Sequence, residues 1–227
     1  MEERAKLLNE LGQALIRHKH MFEFEDTLRP GNLYDYFLQR QEKGVLAARE
    51  ILIAILKSMG EIWPDGSWVD SIAIGDAAYH EAVKRSDITD RIVPFHKLSQ
   101  WMSYSLIEPL QLAGMKIIHL DALTGLAEYR NGGLFIDTGT ISLRDKTEME
   151  TLHDPKSPLI VEWRALTVTL LDQLAEQIRQ HTNTNAESMP LVSILQGGTW
   201  SAGRRIAQRL RSDASPPLRL KSRGTIF

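Results

Sequence analysis

Val93-Pro94-Phe95-His96-Lys97-Leu98-Ser99-Gln100-Trp101 runs on through Met102-Ser103-Tyr104-Ser105-Leu106 toward Pro109. Proline suits the first turn of a helix, because its missing N–H would find no partner there anyway. The spacing therefore predicts a helix from Pro94 to about Leu112. Phe95, Leu98, Met102, Ser105 and Leu106 form one stripe of it, and His96, Gln100 and Ser103 lie on another side. Pro109 should kink or tighten the last turn. A helix built only for a core would carry Leu or Ala where His96, Lys97 and Gln100 stand.

Downstream, Leu123-Thr124-Gly125-Leu126-Ala127-Glu128-Tyr129-Arg130-Asn131-Gly132-Gly133-Leu134-Phe135-Ile136-Asp137 mixes the same chemistry with aromatics. Gly132-Gly133 is read as a bend that folds this segment back toward the His96–Gln100 face. Polar groups this dense in apolar sequence suggest a lined pocket.

Helical periodicity extends to the rest of the chain. Residues 1–18 read as an amphipathic helix and Leu33–Arg40 as a short one. Val45, Ala48, Leu52, Ile55, Leu56 and Met59 mark a core helix ending at Gly60. Leu159–Gln180 is apolar on more than one face and so largely buried. Ala186–Leu195 and Thr199–Arg211 form two more helices, separated by Gly197-Gly198. Short extended pieces are expected at Trp68–Ile74 and in the tail, where Leu218 and Leu220 alternate. Residues 144–158 read as a polar surface loop. The class is mainly α with short extended segments, in a single domain over 1–227.

Of the 227 residues, 43% are hydrophobic and 25% charged, enough apolar surface for a sizeable core. The net charge of −2 disfavours binding of nucleic acid through global charge. The chain has no cysteine, which excludes disulfides, thiolate catalysis and cysteine-ligated zinc. The charged start Met1-Glu2-Glu3-Arg4 does not read as a secretory signal, and no apolar run is long enough to span a membrane. A cytoplasmic protein is the expectation.

The candidate chemistry has plain alternatives. His96 and Gln100 share a helix face, as do Lys97 and Trp101; they could bind a planar polar ligand or simply finish a surface helix. Glu128 and Asp137 could serve a reaction through a cationic sugar-like transition state, with Arg130 and Asn131 beside them. Alternatively, Arg130 pairs with Asp137 across a turn. Glu162 and Arg164, two apart on a helix, do not face each other, so each needs its own partner. Gly197-Gly198-Thr199 opens a helix whose N–H groups favour an anion, near Trp200 and Arg204. Asp76 and His80 lack a third ligand at helical spacing. No metal and no cofactor is expected.

Val93–Trp101, Tyr104–Gln111, Leu123–Asp137, Gly197-Gly198-Thr199-Trp200, Ala202-Gly203-Arg204 and Gly224-Thr225-Ile226-Phe227 together resemble the signature of the uracil catabolism protein four family, also called the uracil-regulated gene three family. Arg223 stands where that resemblance leads one to expect an aspartate. The resemblance implies the C-terminal portion of a longer protein, acting in a pyrimidine-degradation route that passes through a ribosylated urea. A fainter likeness to the queuosine-salvage nucleoside hydrolases rests on Asp90 four residues before Pro94, Tyr104-Ser105 and Val161-Glu162-Trp163-Arg164. It implies a fold like that of helix-hairpin-helix glycosylases and hydrolysis of an N-glycosidic bond. Asp137, Glu128 and Asp90 are then the catalytic candidates. His96, Lys97, Gln100, Trp101, Arg130, Asn131, Glu162, Arg164, Gly198, Trp200 and Arg204 would bind a pyrimidine or ribosylurea derivative, phosphorylated or not. The alternative is a non-catalytic module that binds a pathway nucleotide or a partner.

Overall fold

The computed structural model describes residues 2–63 and 66–221. It is mainly helical, with strands of two to four residues. Its longer helices are α1 (Glu2–Arg17), α2 (Ala48–Met59), α3 (Lys97–Leu112), α4 (Tyr129–Asp137), α5 (Pro158–Thr182) and α6 (Trp200–Leu210). The chain forms two compact units, one of residues 1–77 and 98–123, the other of residues 78–97 and 124–227.

In the first unit, α1 packs on α2 and on the turn that follows it. The apolar face of α2 buries Ile51, Ala54, Ile55 and Met59. Arg17 donates to Glu61 at 2.8 Å. The spacing predicted helix from Val45, but Val45–Ala47 is extended and pairs in parallel with Lys116–Ile118. A partner some seventy positions away decides that local conformation. Ser67–Val69 and Ile72–Gly75 form an antiparallel hairpin.

The expected start of α3 was three residues early. Ile92–Pro94 is a strand, and the helix begins at Lys97. Two β-branched residues precede the proline, and the residue before a proline is pushed toward extended geometry. His96 makes the corner between strand and helix with φ +49°. That left-handed geometry costs a residue with a Cβ on the order of 1–3 kcal/mol. The expected apolar stripe is also corrected. The buried residues of α3 are Lys97, Ser99, Gln100, Ser103, Tyr104, Ile107 and Leu110, whereas Ser105 is exposed and Trp101 is 49% exposed.

The second unit is built around α5. Ile160, Trp163 and Leu218 form one buried cluster, flanked by Tyr129, Ile136, Ile141, Leu143 and Leu220. Phe95, Ala127, Val161 and Ala78 form another. Gly132-Gly133 is no bend: both residues lie inside α4. A Cβ on Gly132 would meet the Thr167 hydroxyl at 2.7 Å and the Trp163 ring at 2.8 Å, and one on Gly203 would run into the Arg130 carbonyl. These glycines let α5 and α6 close on α4, which outweighs their helix-weakening entropy of roughly 1 kcal/mol each. Gly197-Gly198 does not separate two helices either. Leu191–Ile194, a π-helical stretch Leu195–Thr199 and α6 follow without a break. The glycines therefore sit mid-helix, and no helix N-terminus there offers N–H groups to an anion. The tail strand is Arg219–Leu220, parallel to Leu152–His153. Arg223 and Gly224–Phe227 lie outside the described residues.

Candidate functional site

The N-terminus of α4 gathers the densest buried polar chemistry of the second unit. Glu128 is the N-cap residue, in extended geometry with φ −125° and ψ 161°. Its carboxylate accepts the backbone N–H of Arg130 at 2.7 Å and of Asn131 at 2.6 Å. These satisfy two donors that a helix start otherwise leaves open. Asn131 Oδ1 accepts the Thr199 hydroxyl at 2.8 Å, and its Nδ2 donates to the Leu126 carbonyl at 3.3 Å. The amide is thus oriented from both ends. Lys97, Glu128, Asn131, Arg164 and Thr199 are all buried.

Burial pushes the Glu128 carboxyl above the ordinary glutamate range. The two N–H bonds and the charges of Lys97 and Arg130 pull the other way and do not cancel it. Arg164 Nε donates to the Ala127 carbonyl at 3.3 Å, and its guanidinium carbon lies 4.0 Å from the centroid of the Phe95 ring. Three marks of a functional site coincide here: buried charged groups, a left-handed non-glycine residue at His96, and a π-helical turn at Thr199.

The three expected carboxylates have three different surroundings. Asp137 is closed off by Arg211, whose Nη1 and Nη2 reach its two oxygens at 2.8 and 2.6 Å. Arg130 is not its partner; it donates to the Ala214 carbonyl at 2.8 Å and lies over Tyr129. Asp90 is partly exposed and held below the ordinary aspartate range by the Arg85 backbone N–H and the Arg91 side chain. It lines an open cleft of about 480 Å³ with Tyr79, His80, Glu81, Arg91 and Pro158.

Glu162 and Arg164 have separate partners, as their spacing requires. Glu162 lies 3.2 Å from His80 Nε2. The Ala82 N–H donates to His80 Nδ1 at 3.2 Å, so the neutral ring carries its hydrogen on Nε2 and presents it to Glu162. The Arg204 guanidinium carbon lies over the Trp200 ring, 5.6 Å from its centroid, and Gly198 lies in the π-helical turn. Gln100 and Trp101 belong to the first unit and His96 and Lys97 to the second. Local sequence did not single out Thr199, His80 or Arg211 for these roles. Their partners lie 68, 82 and 74 positions away, and no short-range pattern announces such pairs. Among the described residues no three His, Asp or Glu side chains gather to hold a metal ion, and no helix is long and apolar enough to cross a membrane.

The family model described as "Protein of unknown function (DUF1688)" matches residues 1–227. The chain is 42% identical over 169 residues to Protein urg3 of Schizosaccharomyces pombe, an alignment covering 73% of the chain and 41% of that protein. It is 36% identical over 253 positions to Uracil catabolism protein 4 of Lachancea kluyveri, covering 100% of the chain and 56% of that protein. The chain thus spans about half the length of the curated relatives it matches. No solved structure matches it, so the expected likeness to helix-hairpin-helix glycosylases is unsupported.

Proposed function

Because this chain belongs to the DUF1688 family of proteins of unknown function and is similar to proteins named Protein urg3 and Uracil catabolism protein 4, we propose that it serves uracil catabolism. Its step is hydrolysis of the N-glycosidic bond of a ribosylated urea or pyrimidine nucleotide. The observation that carries this reading is Glu128, a buried carboxyl that keeps its proton above the ordinary range beside Lys97. A carboxyl whose acid form is favoured by burial is suited to proton transfer as a general acid.

In the proposed reaction Glu128 gives its proton to the departing nitrogen as the C1′–N bond breaks. The bonding electron pair leaves with that nitrogen. Water then adds at C1′ of the ribose cation, and its released proton restores the Glu128 acid. Asp90 and Asp137 take no part in this scheme: Asp90 lies in the exposed cleft and Asp137 holds Arg211. Arg204, exposed on α6, is the candidate for contact with a phosphate on the substrate.

Incubating the chain with ribosylurea, its 5′-phosphate or uridine 5′-monophosphate should release urea or uracil. Glu128→Gln should reduce that release by about 100-fold or more. A folded protein that releases neither product from any of these compounds ends the hydrolysis reading. A second reading, a non-catalytic ligand-binding module, is favoured by one fact: both Glu128 oxygens already accept N–H groups of α4. It predicts thermal stabilisation by the same compounds without product.

A further inference from the structure

We propose that Arg164 is a positioning residue that holds Lys97 and Glu128 together, by clamping the segment that carries one to the segment that carries the other. One guanidinium touches both. Its guanidinium carbon lies over the Phe95 ring, 4.0 Å from the ring centroid, and Phe95 is two residues before Lys97. Its Nε donates to the Ala127 carbonyl at 3.3 Å, and Ala127 immediately precedes Glu128. Both anchor residues belong to one buried apolar cluster with Val161 and Ala78. Arg164 and Val161, three apart on α5, therefore press on the same two segments.

The choice of arginine follows from this double task. A planar guanidinium can lie on an aromatic face while directing an N–H in its own plane; the point charge of a lysine cannot do both. Burying a cation is costly unless several partners share it, and Arg164 is 2% exposed. The clamp also acts where the backbone is strained. His96, between Phe95 and Lys97, has φ +49°, and such geometry persists only where its surroundings over-determine it. The catalytic weight of this clamp rests on the hydrolysis reading; its geometry does not.

The test follows the Glu128 carboxyl directly by carbon-13 NMR titration, with Glu128→Gln assigning the resonance. The charged groups acting on Glu128 are Lys97 and Arg130. Burial raises the Glu128 pKa and the Lys97 charge lowers it, so a loosened clamp, which changes both, should move the titration. Arg164→Lys, which keeps the positive charge and gives up the guanidinium contact, is expected to show that move. Arg164→Met should show it too and serves where the Lys variant fails to fold. Loss of melting temperature with an unmoved Glu128 titration in the folded variants overturns the proposal and leaves Arg164 a core residue. Where the wild-type chain releases urea, Arg164→Lys should lower kcat by about tenfold or more with little change in KM. Absence of turnover in the wild type defeats the hydrolysis reading alone, because the NMR outcome still decides the clamp.

Discussion

Glu128 couples the start of α4 to pH. Its pKa is raised in the fold, so the folded chain keeps this proton to higher pH than the unfolded chain does. Between the ordinary glutamate value and the raised one, stability therefore falls as pH rises; below the ordinary value both states are protonated and the slope vanishes. Glu128→Gln should flatten that slope in urea titrations across the mildly acidic range. It should also cost about 1 kcal/mol through the weakened cap. A wild-type slope of the opposite sign, absent from the variant, would show that the N–H bonds and not burial dominate. Asp137→Asn is expected to act on stability. Arg211 loses a carboxylate that accepted from both its terminal nitrogens, which should cost roughly 2 kcal/mol. That is less than for a fully buried pair, because Asn keeps one acceptor and Arg211 is partly exposed. The residue types here were legible in sequence. Which carboxylate is buried and which is tied to an arginine was not, since Arg211 is 74 positions from Asp137.

Glycines decide how the helices of the second unit meet. Gly203→Ala would drive a methyl group into the Arg130 carbonyl. Backbone cannot yield as a flexible side chain can, so a loss of about 2–3 kcal/mol is expected. Gly197→Ala meets nothing within 4 Å and is helical, so it should be neutral or stabilise by up to about 1 kcal/mol. Chemical denaturation of the two variants checks the contrast, and equal effects would refute the packing account. Sequence periodicity located α1, α2, α3, α5 and α6 to within a few residues, because amphipathic spacing is a local property. It misread Gly132-Gly133 and Gly197-Gly198 as punctuation. A glycine pair means a bend in isolation and a close approach when another helix lies against it.

For the molecule as a whole, circular dichroism should be dominated by helix; a spectrum dominated by strand would reject the fold. With a net charge of −2, no shift of duplex DNA is expected in a gel at physiological salt, and a salt-sensitive shift would contradict that. The sequence by itself determined the helical class, the positions of most helices, the absence of thiol chemistry and the family, because these depend on composition, local periodicity and long matching segments. Tertiary structure alone decided that the polar side of α3 is the buried one, that Val45–Ala47 is a strand, and that Thr199, Asn131 and Glu128 form one network. Each of these depends on a partner supplied from far along the chain. A side chain's own neighbours in sequence fix its face and spacing, while the burial that raises Glu128's pKa and the guanidinium that occupies Asp137 come only from the packed fold.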